Sequence, residues 1–545
     1  MLICSSANNG WYYQWENFAN YNRTFGKHEV GAMAGMSYIE NNWDNVSASA
    51  SGTDILSGYA ENFRYLDYLL TDGVTKNMNN APGRSASLSY FGRLSYGYDN
   101  RYSVQVNFRA DAFDSSKLPF DKKWGYFPSV SAGWTVSNES FFKDNVDRNL
   151  VSFLKLRASW GVNGNINVLN NYPYSTSIMA NRVYYQYDPD SPTLTLGSIP
   201  SGLANPDLKW ETSVQTDFGV DARMFNDRLT VGIDYFNKDT RDLLVGVSPV
   251  KEVGLPAFGD LGVGTTTTIN AGTVNNKGVE LELGWRDQIG EFGYAVNGNV
   301  SWLKNKVTYL EPTVGQIAGR VPQGCEMGTY FEEGHSIWYL LGYKAVGIDD
   351  QGNAIYQHAD GTTGPDVSQS DRVDLGSGIP NLLYGITINL NWKGFDLTVF
   401  GNGISGSKIF PTSWRPDRKE CNTYAYYWRN SWDNPANPAN HTANAKFPAA
   451  DKWSTPAFSS TLTLFDGSYF KIKQVQLGYT LPRSLTQKIA ISNLRVFASL
   501  DNYFTFTKYP GLDPETATNG GSAAGIDMGN YPTAKSLILG VNLEF

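Results

Sequence analysis

The chain ends on the stretch that decides its fold, Ser536–Phe545, which reads SLILGVNLEF. Successive side chains of a strand point to opposite faces, so alternate residues of this stretch share a face. One face is apolar and consists of Leu537, Leu539, Val541, Leu543 and Phe545. The opposite face is mostly polar, and about ten residues is the length that a tilted strand needs to cross a bilayer. The pattern favours a membrane-spanning strand, although a strand of a soluble β-sandwich can alternate in the same way.

The same alternation recurs along the whole chain and predicts about fifteen strands. The predicted strands lie near residues 11–23, 30–38, 88–96, 104–108, 130–136, 154–162, 214–222, 229–235, 279–285, 294–302, 382–392, 395–399, 475–479, 494–500 and 537–545. Between residues 138 and 149 the sequence predicts a short helical or irregular connector.

Short and long connections alternate between these strands. Short turns are predicted near residues 24–27, 99–101, 226–228, 287–291 and 393–394. Long segments rich in Gly, Asn, Asp and Pro cover roughly residues 40–84, 163–210, 241–276, 304–380, 403–468 and 502–534. Outer-membrane barrels have short periplasmic turns and long extracellular loops, whereas a sandwich has no reason to place every long loop at one end. We therefore predict an all-β protein, a transmembrane antiparallel β-barrel.

The composition agrees with a barrel and excludes two other classes. Aromatic residues make up 14% of the 545 residues and charged residues 18%. No apolar run approaches the roughly 18 residues of a membrane-spanning helix. A barrel spreads its apolar residues over alternate positions, which explains a mean hydropathy of −0.35. The net charge of −8 leaves no basic stripe for phosphates, so we expect no nucleic-acid partner.

Catalytic and metal-binding motifs are not evident in the sequence. The three cysteines, Cys4, Cys325 and Cys421, are widely spaced and form neither a CxxC pair nor a disulfide framework. Gly401–Gly406 matches G-x-G-x-x-G, but Pro411 follows too closely for the helix that a dinucleotide site requires. Residues 360–366 lack the ligand spacing of a calcium loop. We expect no enzyme activity, no metal and no cofactor.

The first ten residues, Met1–Gly10, have neither the basic nor the apolar region of a signal peptide. An outer-membrane barrel needs such a peptide, and an odd number of strands is unusual for a bacterial single-chain barrel. We therefore expect that the chain is the later part of a longer protein.

Several strings in one order resemble the SusC/RagA family of TonB-dependent outer-membrane transporters. They are residues 90–96 (YFGRLSY), 155–161 (KLRASWG), 205–211 (NPDLKWE), 276–280 (NKGVE), 371–372 (DR), 478–482 (GYTLP), 511–515 (GLDPE) and the terminal Phe545. The resemblance implies a barrel of roughly 22 strands closed by an N-terminal plug that follows a TonB box. Residues 1–545 would then be the C-terminal part of the barrel, without plug, TonB box or signal peptide.

The same resemblance implies a function and partners. Such a receptor imports glycan or peptide oligomers across the outer membrane, driven by the TonB complex, together with a SusD-like surface lipoprotein. A siderophore or cobalamin receptor without the lipoprotein is the alternative within the same fold. A surface adhesin built on a barrel and a secreted glycan hydrolase are alternatives from other classes.

Candidate contact residues lie in the segment 403–468, which concentrates large aromatic side chains among Asn, Asp and Pro. They are Trp414, Tyr424, Tyr426, Tyr427, Trp428 and Trp432. Rigid aromatic rings beside hydrogen-bonding residues suit the flat faces of sugars and other amphipathic ligands. The same composition also fits packing within the loop or against a partner protein, and the sequence leaves both interpretations open.

Two further expectations concern the strands. Charged residues of the non-lipid face should form ion pairs along a wet inner wall; they are Glu280, Glu282, Asp217, Asp221, Arg93, Arg109, Arg157 and Arg223. Phe545, the terminal aromatic residue, resembles the signal by which the barrel-assembly machinery recognises outer-membrane barrels before their insertion into the lipid bilayer.

Overall fold

A computed structural model shows the architecture of most of the chain. It describes residues 2–51, 75–114, 116–167, 169, 172–176, 178–185, 190, 195–200, 203–247, 267–418, 420–432, 445–487, 490–517 and 520–545.

Fifteen long strands form one sheet, in which each strand pairs antiparallel with the next along the chain. We number them β1 (Leu2–Phe25), β2 (His28–Ser51), β3 (Gly83–Tyr98), β4 (Tyr102–Phe113), β5 (Trp124–Thr135), β6 (Val151–Asn165), β7 (Glu211–Met224), β8 (Leu229–Val247), β9 (Thr267–Ile289), β10 (Phe292–Leu310), β11 (Leu382–Trp392), β12 (Phe395–Ser405), β13 (Tyr469–Thr480), β14 (Asn493–Thr507) and β15 (Ser536–Glu544). The number and order of strands confirm the sequence prediction.

The remaining elements are short and lie in the connections. The helices are Ser140–Asn145, Ala425–Arg429, Thr455–Phe458 and Arg483–Thr486, with 3₁₀ turns at Val136–Asn138, Gln369–Asp371 and Gly521–Ala523. The short strands are Thr75–Asn80, Ile178–Tyr185, Thr195–Pro200, Gln316–Ala318, Gly328–Glu332, Tyr339–Tyr343, Ala345–Ile348, Ala354–Gln357, Thr363–Gly364, Arg372–Ser377, Lys408–Pro411, Phe465–Asp466 and Ile526–Asp527. In the described part of the chain, no helix is long and apolar enough to span a membrane.

Tight turns join the strands at one end of the sheet. The three residues Asp99, Asn100 and Arg101 connect β3 to β4, with φ of 53° and 51° at the first two, and the two residues Lys393 and Gly394, with φ of 48° and 87°, connect β11 to β12. Two-residue hairpins favour positive φ at both central positions, because that twist matches the twist of the flanking strands. The connector between β5 and β6 contains the helix Ser140–Asn145, as the sequence predicts. The long connections leave from the opposite end.

The outer face of the sheet carries an apolar band between aromatic rows. Near the loop end, Tyr384 stacks on Phe470 with ring centroids 6.0 Å apart, and near the turn end Phe395 lies 4.5 Å from Tyr479. Gly403 separates Tyr384 from Phe470 in the register, and a Cβ there would lie 2.7 Å from the Tyr384 ring. Aromatic girdles at both interfaces are the feature of transmembrane barrels, so the band marks the membrane-facing surface.

Several strands extend further at the loop end than the sequence predicts. A loop was expected from residue 40, but β2 continues to Ser51; another was expected from 241 to 276, but β8 reaches Val247 and β9 begins at Thr267. These predicted boundaries are wrong because the alternation of apolar and polar residues marks only the part of a strand that faces lipid. Beyond the membrane both faces meet polar surroundings while the ladder hydrogen bonds continue. Residues 52–74 and 248–266 of those predicted loops lie outside the described residues.

Candidate functional site

Charged side chains on the inner face of the wall pair across neighbouring strands. Arg157 of β6 donates to Asp221 of β7 at 2.7 and 2.9 Å and to Asp234 of β8 at 3.0 Å. Gly219, the residue opposite both Arg157 and Asp234, leaves the room that this contact needs, because a Cβ there would lie 2.3 Å from the Asp234 carboxylate. The groups are partly exposed, so their ion pairs add little stability. They make the wall polar.

Other charged residues predicted for this face also find polar or aromatic neighbours. Arg93 donates to Asn107 at 3.0 Å, Arg109 donates to Asp111 at 2.8 Å, and the Ser301 hydroxyl donates to Glu280 at 3.2 Å. The guanidinium of Arg223 lies over the ring of Phe153, and Glu282 lines a cleft with Lys155. The predicted ion pairing is confirmed for Arg157 with Asp221 and for Arg109 with Asp111, whereas Arg93, Glu280 and Asp217, which accepts from the Ser159 hydroxyl, have neutral hydrogen-bond partners. Contact with a substrate stays a prediction.

Three long loops fold together at the outer end of the wall, and we call them the loop cap: residues 311–381, 406–468 and 508–535, as far as they are described. The first two share backbone hydrogen bonds. Tyr343 N–H donates to the Ser459 carbonyl at 3.0 Å, and Glu326 N–H donates to the Ser459 hydroxyl at 2.8 Å. Arg415 also donates to the carbonyls of Gln323 and Gly324 at 3.2 and 2.9 Å.

The third loop joins the second through a short parallel pairing of Phe410 and Ile526. Phe410 N–H donates to the Gly525 carbonyl at 2.7 Å, and Phe410 and Ile526 are both buried. The Tyr509 hydroxyl donates to the carboxylate of Asp527 at 2.5 Å. Burial and this hydrogen bond raise the pKa of Tyr509 above its usual range, so the phenol keeps the proton of this contact into alkaline solution. The loop cap is therefore one packed body.

Most of the six candidate aromatic residues lie in the core of the loop cap. Trp414 is 8% exposed and Tyr427 is 1% exposed, and Tyr424 and Tyr426 pack against the same cluster. The Trp414 ring lies 4.0 Å from that of Tyr424, and Tyr427 lies 4.9 Å from Phe447, edge to face. These four residues hold the loop together, which is the packing interpretation that the sequence left open.

Trp428 and Trp432 lie at the edge of this cluster. Trp428 is 45% exposed, on the helix Ala425–Arg429, next to buried Tyr427. Trp432 packs against Gly352 of the first loop, where φ is +81° and a Cβ would lie 3.0 Å from the indole. Trp428 is thus the exposed member of the six candidates, and Trp432 joins two loops.

A buried charge network, not among the residues predicted from the sequence, holds the third loop against the wall. Lys471 of β13 is 2% exposed, and its ammonium donates to Asp513 at 2.9 Å and to Glu515 at 2.7 Å. Lys473 pairs with Glu515 as well. Burial opposes ionisation of Asp513, but Lys471 and the Thr533 amide N–H outweigh it and hold the Asp513 pKa below its usual range. Asp513 and Glu515 belong to the string GLDPE. One residue separates these two acids, just as one residue separates Lys471 from Lys473.

No metal-binding arrangement of three or more His, Cys, Asp or Glu side chains occurs in the described ranges. Cys4, Cys325 and Cys421 are free thiols. The glycine string at residues 401–406 runs through the end of β12 and continues into the strand Lys408–Pro411 rather than into a helix. The outer face of the wall, its polar inner face and the loop cap are thus the surfaces on which function depends.

Comparisons with known proteins agree with this architecture. The family model described as TonB dependent receptor-like, beta-barrel matches residues 5–502. TonB-dependent receptor P3 of Formosa agariphila is 27% identical over 97% of this chain and 52% of its own length. TonB-dependent receptor SusC of Bacteroides thetaiotaomicron is 28% identical over 85% of this chain and 44% of its own length. The chain spans about half the length of these relatives.

A solved structure of the RagAB peptide transporter has the same fold, with a TM-score of 0.80 and 25% identity over 99% of this chain and 56% of that chain. These findings confirm the resemblance to the SusC/RagA family, the barrel fold, the outer-membrane location and the expectation that the protein is not an enzyme. The chain belongs to the TonB-dependent receptor-like β-barrel family.

Proposed function

We propose that the chain forms the wall and extracellular cap of a SusC-like importer that takes up peptide or glycan oligomers with energy from the TonB complex. The observation that supports this most strongly is the loop cap. Three loops that need not touch in a plain barrel pack into one body at the outer end of a polar wall, held by the buried Lys471 network. A fixed cap of this kind suits capture of a large ligand and docking of a second protein.

We further propose that a SusD-like lipoprotein docks on the loop cap. The similar RagAB structure is described as a peptide transporter, and its likeness to this chain extends over 99% of the residues. The candidate contact is Trp428, because exposed aromatic residues anchor interfaces and Trp428 remains accessible beside a rigid core. Trp414 and Tyr427 support this surface from beneath.

Trp428→Ala in the protein as it occurs in the outer membrane tests both parts of the proposal. Co-purification of the lipoprotein and uptake of labelled peptide and glycan oligomers should fall several-fold, with barrel abundance unchanged. Phe120→Ala is the matched control, since Phe120 is an exposed aromatic residue in the loop between β4 and β5, outside the cap. Uptake of a ferric siderophore alone, with no lipoprotein recovered from the wild type, would contradict the proposal.

A further inference from the structure

Three lysines point outward from β9 and β10, just beyond the apolar band at the loop end. Lys277 shares the outer face of β9 with Val279, and Lys304 and Lys306 share the outer face of β10 with Trp302, because alternate residues of a strand lie on one face. All three lysines are exposed. We call them the lysine triad.

The strand register places like charges against each other in the lysine triad. Lys277 is the direct partner of Lys304, and Lys306 lies opposite Asn275, the neighbour of Lys277 on the same face. Like charges directly opposite in an antiparallel pair destabilise the sheet. Among the described residues, none of the three lysines forms an ion pair. An anion bound between them would remove this repulsion.

A carboxylate on the neighbouring strand, that of Asp239, does not pair with the triad. Asp239 of β8 lies opposite Asn275 rather than opposite a lysine. It accepts a hydrogen bond from the Asn275 side chain at 2.8 Å and lies 3.5 Å from the Arg241 guanidinium. In the described part of the chain, the positive charge of the triad therefore faces outward with no carboxylate in ion-pair contact.

The row of residues below the triad marks the membrane boundary. Tyr235, Val279 and Trp302 are register partners on β8, β9 and β10, and all three are exposed on the outer face. Tyrosine and tryptophan collect where the hydrocarbon meets the headgroups. The next row outward holds Lys277 and Lys304, so their ammonium groups lie at headgroup level on the extracellular side.

We propose that Lys277, Lys304 and Lys306 bind the phosphate groups of a phosphorylated glycolipid in the outer leaflet. Its acyl chains would lie along the apolar band below Trp302, and its phosphates would sit between the three ammonium groups. A free phosphate ion would gain the same charge contacts without the apolar ones, so the lipid is the occupant that uses both halves of this surface.

The test uses the protein extracted from the outer membrane. The variant K277Q/K304Q/K306Q should retain less glycolipid, measured per protein by native mass spectrometry. One lysine near an anionic membrane surface corresponds to about a fivefold change in affinity, so the triple variant should bind the added phosphorylated glycolipid about 100-fold more weakly. The matched control K27Q/K143Q/K393Q removes the same charge at the short-turn end and should bind like the wild type.

Lys304→Glu separates binding from folding. It replaces the like-charged pair with an opposite-charged pair, so the wall should fold at least as well, yet glycolipid binding should be lost. Equal glycolipid retention by the wild type and K277Q/K304Q/K306Q would overturn the proposal. So would equal binding of the dephosphorylated glycolipid, and so would competition by inorganic phosphate at matched phosphate concentration, which would assign the triad to a free anion.

Discussion

Replacing Lys471 with Met tests how the third loop of the cap is held over the wall. The Lys471 ammonium lies 2.9 Å from Asp513 and 2.7 Å from Glu515, and the Asp513 side chain is 5% exposed. Methionine keeps an unbranched apolar side chain in place of the lysine stem but removes the charge. Asp513 would then be a buried carboxylate without its cation.

The size of the effect follows from what each carboxylate retains. Removing one partner of a buried ion pair costs about 3–5 kcal/mol. Asp513 keeps the amide donors of Glu515 and Thr533, both at 3.0 Å, and Glu515 keeps Lys473. We therefore expect the lower end of that range, about 3 kcal/mol, which corresponds to about a 150-fold more frequent opening of the loop.

Hydrogen exchange of the natural protein measures this opening residue by residue. Amides of residues 509–517 should exchange much faster in Lys471→Met, while amides in the middle of β9 keep their wild-type rate and serve as the internal reference. In the double variant K471M/D513L, which removes both charges, protection should largely return, because replacing a buried pair with apolar residues is often neutral. Wild-type exchange of residues 509–517 in Lys471→Met would refute the assigned role of the network.

Four other predictions follow from the same contacts. Because the pKa of Asp513 in the folded protein is below its usual range, the stabilisation of the loop by ionised Asp513 should be complete above about pH 4 and should disappear as the pH falls towards the folded pKa. Hydrogen exchange of the loop amides, measured from pH 6 to 3 and corrected for intrinsic rates, would detect this loss. Arg415→Ala leaves the buried Asp417 carboxylate with only the distant guanidinium of Arg418, 3.8 Å away, and should open the cap by about 3 kcal/mol in limited proteolysis, whereas Arg418→Ala removes only that exposed contact and should have little effect. Gly403→Val places side-chain atoms against the Tyr469 carbonyl and the Tyr384 ring and should reduce heat-modifiable, folded barrel, while the conservative Val399→Ile on the same strand should not. Deletion of Phe545 should lower the amount of protein in the outer membrane, and unchanged amounts would remove the proposed assembly signal.

The wall could be predicted from sequence because a membrane imposes a local rule. Each strand must present apolar residues at alternate positions over about ten residues, and Leu382–Trp392 or Phe292–Leu310 satisfy this rule without reference to any other part of the chain. The tight turns could be predicted from local sequence as well, because Asp99-Asn100 and Lys393-Gly394 contain residues that adopt the positive φ of a hairpin turn. The rule fails at the loop end of β2, where strand hydrogen bonding continues after the lipid face has ended.

The loop cap could not be predicted, because the information that specifies it is not local. Trp414 and Trp428 are both tryptophans with polar and aromatic neighbours in the same loop, yet Trp414 is buried and Trp428 is exposed. The difference arises from residues far along the chain: Tyr509 stacks on Trp414 at 5.9 Å, and Ile526 pairs with Phe410. Only the folded arrangement of the three loops separates core from surface.

This arrangement also decides how loop variants should be interpreted. Since Phe410, Arg415 and Trp432 each contact another loop, a substitution at any of them changes the cap as a whole. Loss of uptake in such a variant would follow equally from a lost ligand contact and from a disordered cap. Trp428 differs, because its ring is accessible while its backbone stays within a helix supported by Tyr427. A functional defect of Trp428→Ala with unchanged hydrogen exchange in the cap therefore identifies a contact surface, whereas the same defect in Trp414→Ala identifies only a core.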